Sequence, residues 1–120
     1  MNHLDTGKYG EERAASFLEE KGYRIAVRNF RSGRGEIDLI AWAPGGALVF
    51  IEVKTRALDT YGGPEEAVDR KKMDQIARTA GSYMEETGHE GEIRFDIVSV
   101  LLQAGQVKSI RHAEDAFFPM

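Results

Sequence analysis

The chain has 120 residues, of which 42% are hydrophobic and 30% are charged, and it contains no cysteine. These values predict one folded domain over residues 1–120 and exclude a disordered tail, a membrane protein, disulfide bonds and thiolate metal sites. The formal net charge of −4 argues against a non-specific polyanion binder, because neutralising phosphates requires a basic surface.

Seven secondary-structure elements are predicted along the chain. They are a helix over residues 6–21, strands over 23–30, 36–42 and 48–55, a helix over 64–87, and strands over 92–102 and 107–111. The first helix is capped by Asp5 or Thr6 and stops at Gly22. The second helix is opened by Pro64 and stops at Gly88.

The order of these elements, αβββαββ, is typical of an α/β fold. A helix between the strands over 48–55 and 92–102 indicates a crossover between parallel strands, whereas the hairpin over 36–55 is antiparallel. We therefore expect a mixed β-sheet flanked by helices. Because strand side chains alternate between the two faces of a sheet, Ile37, Leu39 and Ala41 are predicted to share one face.

Charged residues interrupt the apolar pattern of the predicted hairpin at Glu36, Asp38, Glu52 and Lys54. If the hairpin turns about Gly45, Asp38 lies directly opposite Glu52, with the two Cβ atoms about 4.5–5.5 Å apart, and Glu36 lies across from Lys54. A slip of one residue would place the two acids on opposite faces, so the prediction depends on the register.

The facing carboxylates of Asp38 and Glu52 require a compensating partner. At about 5 Å they repel by roughly 3 kcal/mol at an effective dielectric of 20. The candidates are Lys54, a shared proton and a divalent cation. A hard cation such as Mg²⁺ takes one or two carboxylates and keeps waters and substrate phosphates at its other positions. The alternative is a surface salt-bridge cluster at the open end of the hairpin.

Helix geometry selects a third acid, Glu11. Glu11 and Leu18 are seven residues apart, so they point within ~20° of each other, and Ala14 and Ala15 lie on the same stripe. Glu12 points about 120° away and faces water. Glu11, rather than Glu12, is therefore predicted to face the carboxylate pair.

Carboxylates on a cation beside a lysine are suited to phosphodiester hydrolysis. The cation polarises a phosphoryl oxygen and lowers the pKa of its bound water, while Lys54 orients that water or neutralises charge on the phosphate. Further candidates for phosphate contacts are Arg31, Arg34, Arg56 and Lys72, although ordinary solvated side chains are the alternative for each.

Other charged residues are assigned structural roles. Arg94 and Asp96 share a strand face and are predicted to form an ion pair. His3, His89 and His112 have no metal-ligand spacing, so each is predicted to be an ordinary surface histidine.

The segments GEIDLIA (35–41) and VFIEVKTR (49–56) resemble the active-site core of the PD-(D/E)xK nuclease superfamily. More closely, the chain resembles the YraN-like family of uncharacterised bacterial proteins, which are related to archaeal Holliday-junction resolvases. The resemblance extends from Gly7 to Phe117. Ile37 stands where the name of the superfamily has proline.

This resemblance implies a restriction-endonuclease-like core. It further implies that Asp38 and Glu52 are metal ligands for Mg²⁺ or Mn²⁺, with the backbone carbonyl of Val53 as a further ligand. Glu11 would be the acid carried on the helix, and Lys54 the catalytic lysine. We therefore expect Glu11, Asp38 and Glu52 together to hold the metal, with Lys54 assisting the attacking water.

The function implied is that of a metal-dependent nuclease acting on DNA, branched and junction DNA included. The superfamily also contains proteins that bind nucleic acid or assemble without cutting it, so a non-catalytic binding or assembly protein is the alternative. No appended DNA-binding module is expected, and selectivity for junctions or flaps would then come from shape, for example across a homodimer. We expect a cytoplasmic protein with no membrane contact.

Overall fold

The computed structural model describes residues 3–58 and 69–117, and the side chains of residues 3–5 are outside this description. Seven elements follow one another: α1 (His3–Glu20), β1 (Arg24–Ser32), β2 (Gly35–Trp42), β3 (Leu48–Ala57), α2 (Arg70–Thr87), β4 (Ile93–Gln103) and β5 (Gln106–Ala113). Two helices and a five-strand mixed sheet in the order αβββαββ confirm the predicted α/β fold class.

Both helices end at the predicted glycines. Gly22 and Gly88 have φ values of +95° and +72°, a backbone region that glycine enters without steric cost. The amide of Gly88 donates to the carbonyl of Met84, which satisfies one of the free carbonyls of the last turn. Neither helix, within residues 3–58 and 69–117, is long and apolar enough to cross a bilayer.

The helix starts differ from the prediction. α1 begins at His3, ahead of Asp5 and Thr6. α2 begins at Arg70, because the side chain of Asp69 accepts a hydrogen bond from the Lys72 amide at 2.8 Å and thereby caps the helix. The predicted start at Pro64 is wrong for this helix, and residues 59–68 themselves lie outside the described part of the chain.

The five strands lie in the order β1-β2-β3-β4-β5. β3 and β4 are parallel, and α2 makes the crossover between them, as predicted. The other neighbouring pairs are antiparallel. The parallel pair of β3 and β4 is therefore flanked by antiparallel neighbours, β2 and β1 on one side and β5 on the other.

Each face of the sheet is covered by one helix. On the α1 face, Ala14, Ala15 and Leu18 pack against apolar side chains of β2, β3 and β4. On the α2 face, Ile76 and Ala80 pack against Phe50 and Phe95 and their neighbours. Because both faces are covered, residues 48–51 of β3 are apolar without interruption.

Strict alternation fails on β2. Leu39 and Ala41 lie on the α1 face as a pair, but Ile37 packs in the α2-face cluster, so the predicted grouping of these three residues is wrong. The change of face occurs around Asp38. On β1, Asn29 lies between the residues paired with Leu39 and Ile37 and has a φ of +52°, so the strands are irregular at this point.

Candidate active site

The antiparallel pairing of β2 with β3 runs from Trp42 with Leu48 to Leu39 with Ile51. This is the register of a hairpin that turns about Gly45, so the predicted register is confirmed for these four pairs. Asp38 and Glu52, predicted to lie directly opposite each other, come one position beyond the last of these pairs. Beyond Leu39 and Ile51 the strands separate, since β2 continues along β1 and β3 continues along β4. We call the opening between residues 35–38 and 52–57 the fork.

Asp38 is held in the fork by the backbone of the opposite strand. Its carboxylate Oδ2 accepts a hydrogen bond from the amide of Val53 at 2.8 Å, and the residue is only 8% exposed. The N–H and C=O groups of one strand residue point to the same edge, so the carbonyl of Val53 faces the fork as well. The side chain of Asp38 thus replaces a backbone partner where the ladder ends.

Asp38 and Glu52 interact directly across the fork. Burial raises the pKa of Asp38, and hydrogen bonding with Glu52 and the charge of Glu52 raise it further, to about 8, although the Val53 amide opposes the shift. A carboxyl with this pKa holds a proton at neutral pH. A protonated Asp38 can therefore lie beside Glu52 without repulsion between two charged groups.

Glu11 reaches the same group of acids from α1. Its Oε1 accepts a hydrogen bond from Asn29 Nδ2 at 2.9 Å. Burial raises the pKa of Glu11, the bond from Asn29 lowers it, and the charge of Asp38 raises it again. Glu12 is exposed. The placement of Glu11, and not Glu12, beside Asp38 is as predicted.

A glycine brings α1 close to the sheet at this point. A Cβ at Gly10 would collide with the side chain of Thr55, so only glycine allows this approach of helix to strand. Because Glu11 follows Gly10 directly, this contact sets the distance between its carboxylate and the fork.

Two lysines flank Glu52, whose side chain is 12% exposed. Lys72 of α2 places Nζ 3.4 Å from Glu52 Oε2. Lys54 follows Glu52 by two residues on β3, on the same strand face, and is half-buried. The sequence singled out Lys72 as a phosphate contact, whereas its ion pair with Glu52 depends on how α2 docks.

The candidate arginines lie on both sides of the fork. Arg31 donates to Glu36 at 2.8 Å across the β1–β2 pair, so the expected alignment of Glu36 with Lys54 is wrong, because β2 and β3 have already separated. Arg34 is exposed in the β1–β2 turn, and Arg56 is half-buried on β3.

The donor set fits a hard cation with few protein ligands. Across residues 3–58 and 69–117, no three His, Cys, Asp or Glu side chains converge as a metal cage, so Glu11, Asp38 and Glu52 do not close a three-ligand cluster. Two carboxylates and the Val53 carbonyl remain at the fork. Mg²⁺ and Mn²⁺ sites that act on phosphates are often built from one or two carboxylates, with water and substrate completing them.

A second polar group lies on the α1 face, away from the fork. Fully buried Asp96 accepts hydrogen bonds from Arg94 at 2.8 and 2.9 Å, from the Asp115 amide at 2.9 Å, and contacts His112 Nε2 at 2.7 Å. The predicted ion pair of Arg94 with Asp96 is confirmed.

His112 is not a surface residue. Its side chain is 2% exposed because β5 pairs with β4 and sets it beside Val98, and its ring makes edge contacts with those of Phe17 and Tyr23. That prediction was wrong, since burial here depends on the sheet neighbour. The side chain of His3 lies outside the described part of the chain.

Comparison with known proteins identifies the family. The model of "Uncharacterised protein family UPF0102" matches residues 10–100, a range that includes Glu11, Asp38, Glu52 and Lys54. A UPF0102 protein of Pelobacter propionicus is 46% identical over 118 residues, covering 97% of this chain and 84% of the relative. Another, of Bacteroides thetaiotaomicron, is 42% identical over 117 residues, covering 98% and 95%. The chain therefore belongs to the UPF0102 family of uncharacterised bacterial proteins.

Proposed function

We propose that this protein is a nuclease that uses Mg²⁺ or Mn²⁺ to hydrolyse phosphodiester bonds in DNA, branched and junction DNA included. The observation that carries the proposal is the pair of carboxyls, Asp38 and Glu52, brought together across the fork with Lys54 on the same strand. The resemblance of these segments to PD-(D/E)xK nucleases supports the same conclusion.

The fork suits a cation because the carboxylates of Asp38 and Glu52 repel each other when both are ionised, and a cation would remove this repulsion. Asp38 and Glu52, with the Val53 carbonyl, would hold the ion, which supplies polarisation of a phosphoryl oxygen and a bound water of lowered pKa. Binding at this pair requires Asp38 to release its proton, because only the carboxylate is a ligand.

The other residues of the site position the carboxylates or neutralise charge. The amide of Val53 fixes the carboxylate of Asp38, and Lys72 balances the charge of Glu52. Lys54 is half-buried on the same strand face, and its ammonium would donate hydrogen bonds to the phosphoryl oxygen or to the attacking water.

A second candidate function is a non-catalytic protein that binds nucleic acid or assembles with other proteins and keeps the carboxyls as a structural pair. It is favoured by the hydrogen bond between the two carboxyls and by the burial that raises the pKa of Asp38, because a protonated Asp38 can pair with Glu52 without a metal.

Cleavage of labelled four-way-junction, flap and linear DNA in Mn²⁺ separates the two functions. Lys54→Ala and Asp38→Asn are each expected to reduce cutting by roughly 100-fold or more, since the first removes a cation that stabilises the transition state and the second removes a ligand of the metal. Lys108→Ala, on an exposed position of the edge strand β5, is the matched control and should cut like the wild type.

All variants are first compared by circular dichroism and thermal unfolding. Wild-type protein that cuts none of the three substrates, or Lys54→Ala that cuts as well as Lys108→Ala, would overturn the nuclease proposal in favour of the non-catalytic function.

A further inference from the structure

A polar groove of about 390 Å³ lies between the β1–β2 turn and α2. We call it the turn groove; it is lined by residues 32–35 and by Gln75, Arg78, Thr79 and Ser82. Its volume is in the range of ligand-binding pockets. None of the roles assigned above to Asp38, Glu52 or Lys54 uses it.

The lining of the turn groove is cationic. It contains Arg34 and Arg78 and no aspartate or glutamate, on a chain whose net charge is −4. Within residues 3–58 and 69–117, neither guanidinium has an ion-pair partner. Each guanidinium can therefore direct its N–H donors at an anion, and the oxygens of a phosphate match the geometry of those donors.

Two contacts hold the turn against the helix and keep the groove in shape. Gln75 Nε2 donates a hydrogen bond to the carbonyl of Arg34 at 3.3 Å. A Cβ at Gly35 would collide with the hydroxyl of Thr79, so the turn backbone lies directly on α2. The hydroxyls of Ser32 and Ser82 complete the wall with neutral hydrogen-bonding groups.

The turn groove adjoins the fork at Gly35, which belongs to both, and one stripe of α2 runs past the two. Lys72, which contacts Glu52, is followed at spacings of three and four by Gln75, Thr79 and Ser82, so these residues share a helix face. Arg78 lies six residues beyond Lys72, a rise of about 9 Å. Phosphates of one strand advance about 3.4 Å per nucleotide along a duplex, so this distance equals two to three nucleotides.

We propose that the turn groove is a phosphate subsite in which Arg34 and Arg78 hold the backbone of the cleaved strand, two to three nucleotides from the bond at the fork. This assignment rests on the proposed nuclease function, and it names the part of the substrate that the protein grips. The subsite recognises phosphate and not bases, so it favours no sequence.

The test is binding of a fluorescently labelled DNA duplex in EDTA, measured by anisotropy at several salt concentrations, with cutting in Mn²⁺ measured separately. Arg34→Ala and Arg78→Ala are each expected to weaken binding roughly tenfold and to reduce the salt slope by about 1. Arg13→Ala is the control, because Arg13 is also exposed but lies on α1, on the other face of the sheet.

The two readouts separate the subsite from the nuclease proposal. If Arg78→Ala and Arg34→Ala bind like Arg13→Ala while the wild type binds and cuts, the subsite is wrong and the nuclease stands. If binding depends on both arginines but no metal supports cutting, the turn groove binds phosphate, whereas the nuclease proposal and the position relative to a cleaved bond fail. Wild-type protein that neither binds the duplex in EDTA nor cuts any DNA in Mn²⁺ overturns both.

Discussion

The pKa of Asp38 depends on the position of this residue at the end of the pairing between β2 and β3. Asp38 lies where β2 leaves β3, so its side chain and not its backbone receives the Val53 amide. Burial and Glu52 together raise its pKa to about 8. Because the ordinary pKa of aspartate is near 3.8, the unfolded chain has already lost this proton above about pH 4. The folded protein keeps it up to about pH 8.

Because the folded protein binds this proton more tightly than the unfolded chain does, the stability of the protein depends on pH. Stability of the metal-free protein should fall as pH rises from 4 to 8, and Asp38→Asn should lack this part of the decline. Mn²⁺ should raise the melting temperature of the wild type more at pH 8.5 than at pH 6, because at low pH the metal competes with the proton. Calorimetry in two buffers of different ionisation enthalpy should detect release of about one proton per metal at neutral pH.

Asp38→Asn is the control for this measurement, because an amide neither binds nor releases the proton. Equal stabilisation by Mn²⁺ at both pH values, with no proton release by the wild type, would contradict a metal site at this pair.

At the scale of elements, two glycines control how the helices approach the fork. Gly10 lets α1 contact β3 at Thr55, and Gly35 lets the β1–β2 turn lie on α2 at Thr79. Each contact adjoins a residue of the proposed sites, Glu11 in the first case and Arg34 in the second. The close packing at each glycine therefore helps to set the position of a side chain of a proposed site.

A comparison within α1 tests this role of Gly10. Gly10→Ala is expected to destabilise the protein by about 1–3 kcal/mol, because the new methyl group collides with Thr55. Gly7→Ala, at a helix position with open space around it, should instead stabilise by about 0.5–1 kcal/mol through helix propensity. Urea unfolding of both variants measures the difference; an equal gain in both would show that α1 does not approach β3 closely.

At the scale of the molecule, the buried network of Asp96 ties β4 to β5 on the side of the sheet away from the turn groove. Burial alone would raise the pKa of Asp96, but hydrogen bonds from Arg94, His112 and the Asp115 amide outweigh it and hold the pKa at about 2. The network thus contributes stability only while Asp96 is ionised.

A depressed carboxyl pKa adds stability above the unfolded value, which is lost as pH falls through the folded value. The free energy of unfolding should therefore drop by about 2 kcal/mol between pH 4 and pH 2 on account of Asp96. Asp96→Asn should be less stable at pH 7 and show a shallower decline in acid, whereas Asp74→Asn, in an exposed ion pair, should follow the wild type. Urea titrations at each pH measure both effects, and parallel acid profiles for Asp96→Asn and the wild type would contradict the assignment.

Local patterns were sufficient for much of this structure. The order αβββαββ, the register about Gly45 and the choice of Glu11 over Glu12 follow from periods of 2 and 3.6 residues and from a short loop, all of which involve near neighbours in sequence. For that reason Asp38 and Glu52 could be paired before any tertiary structure was known.

Only the tertiary structure decided the features that depend on how distant segments dock. The change of face at Ile37, the contact of Lys72 with Glu52, the burial of His112 and the groove between Arg34 and Arg78 each require the position of a strand or helix far away in sequence. Periodicity specifies which face of an element is apolar, but not which side chain of another element will cover it, because that depends on packing of the whole sheet.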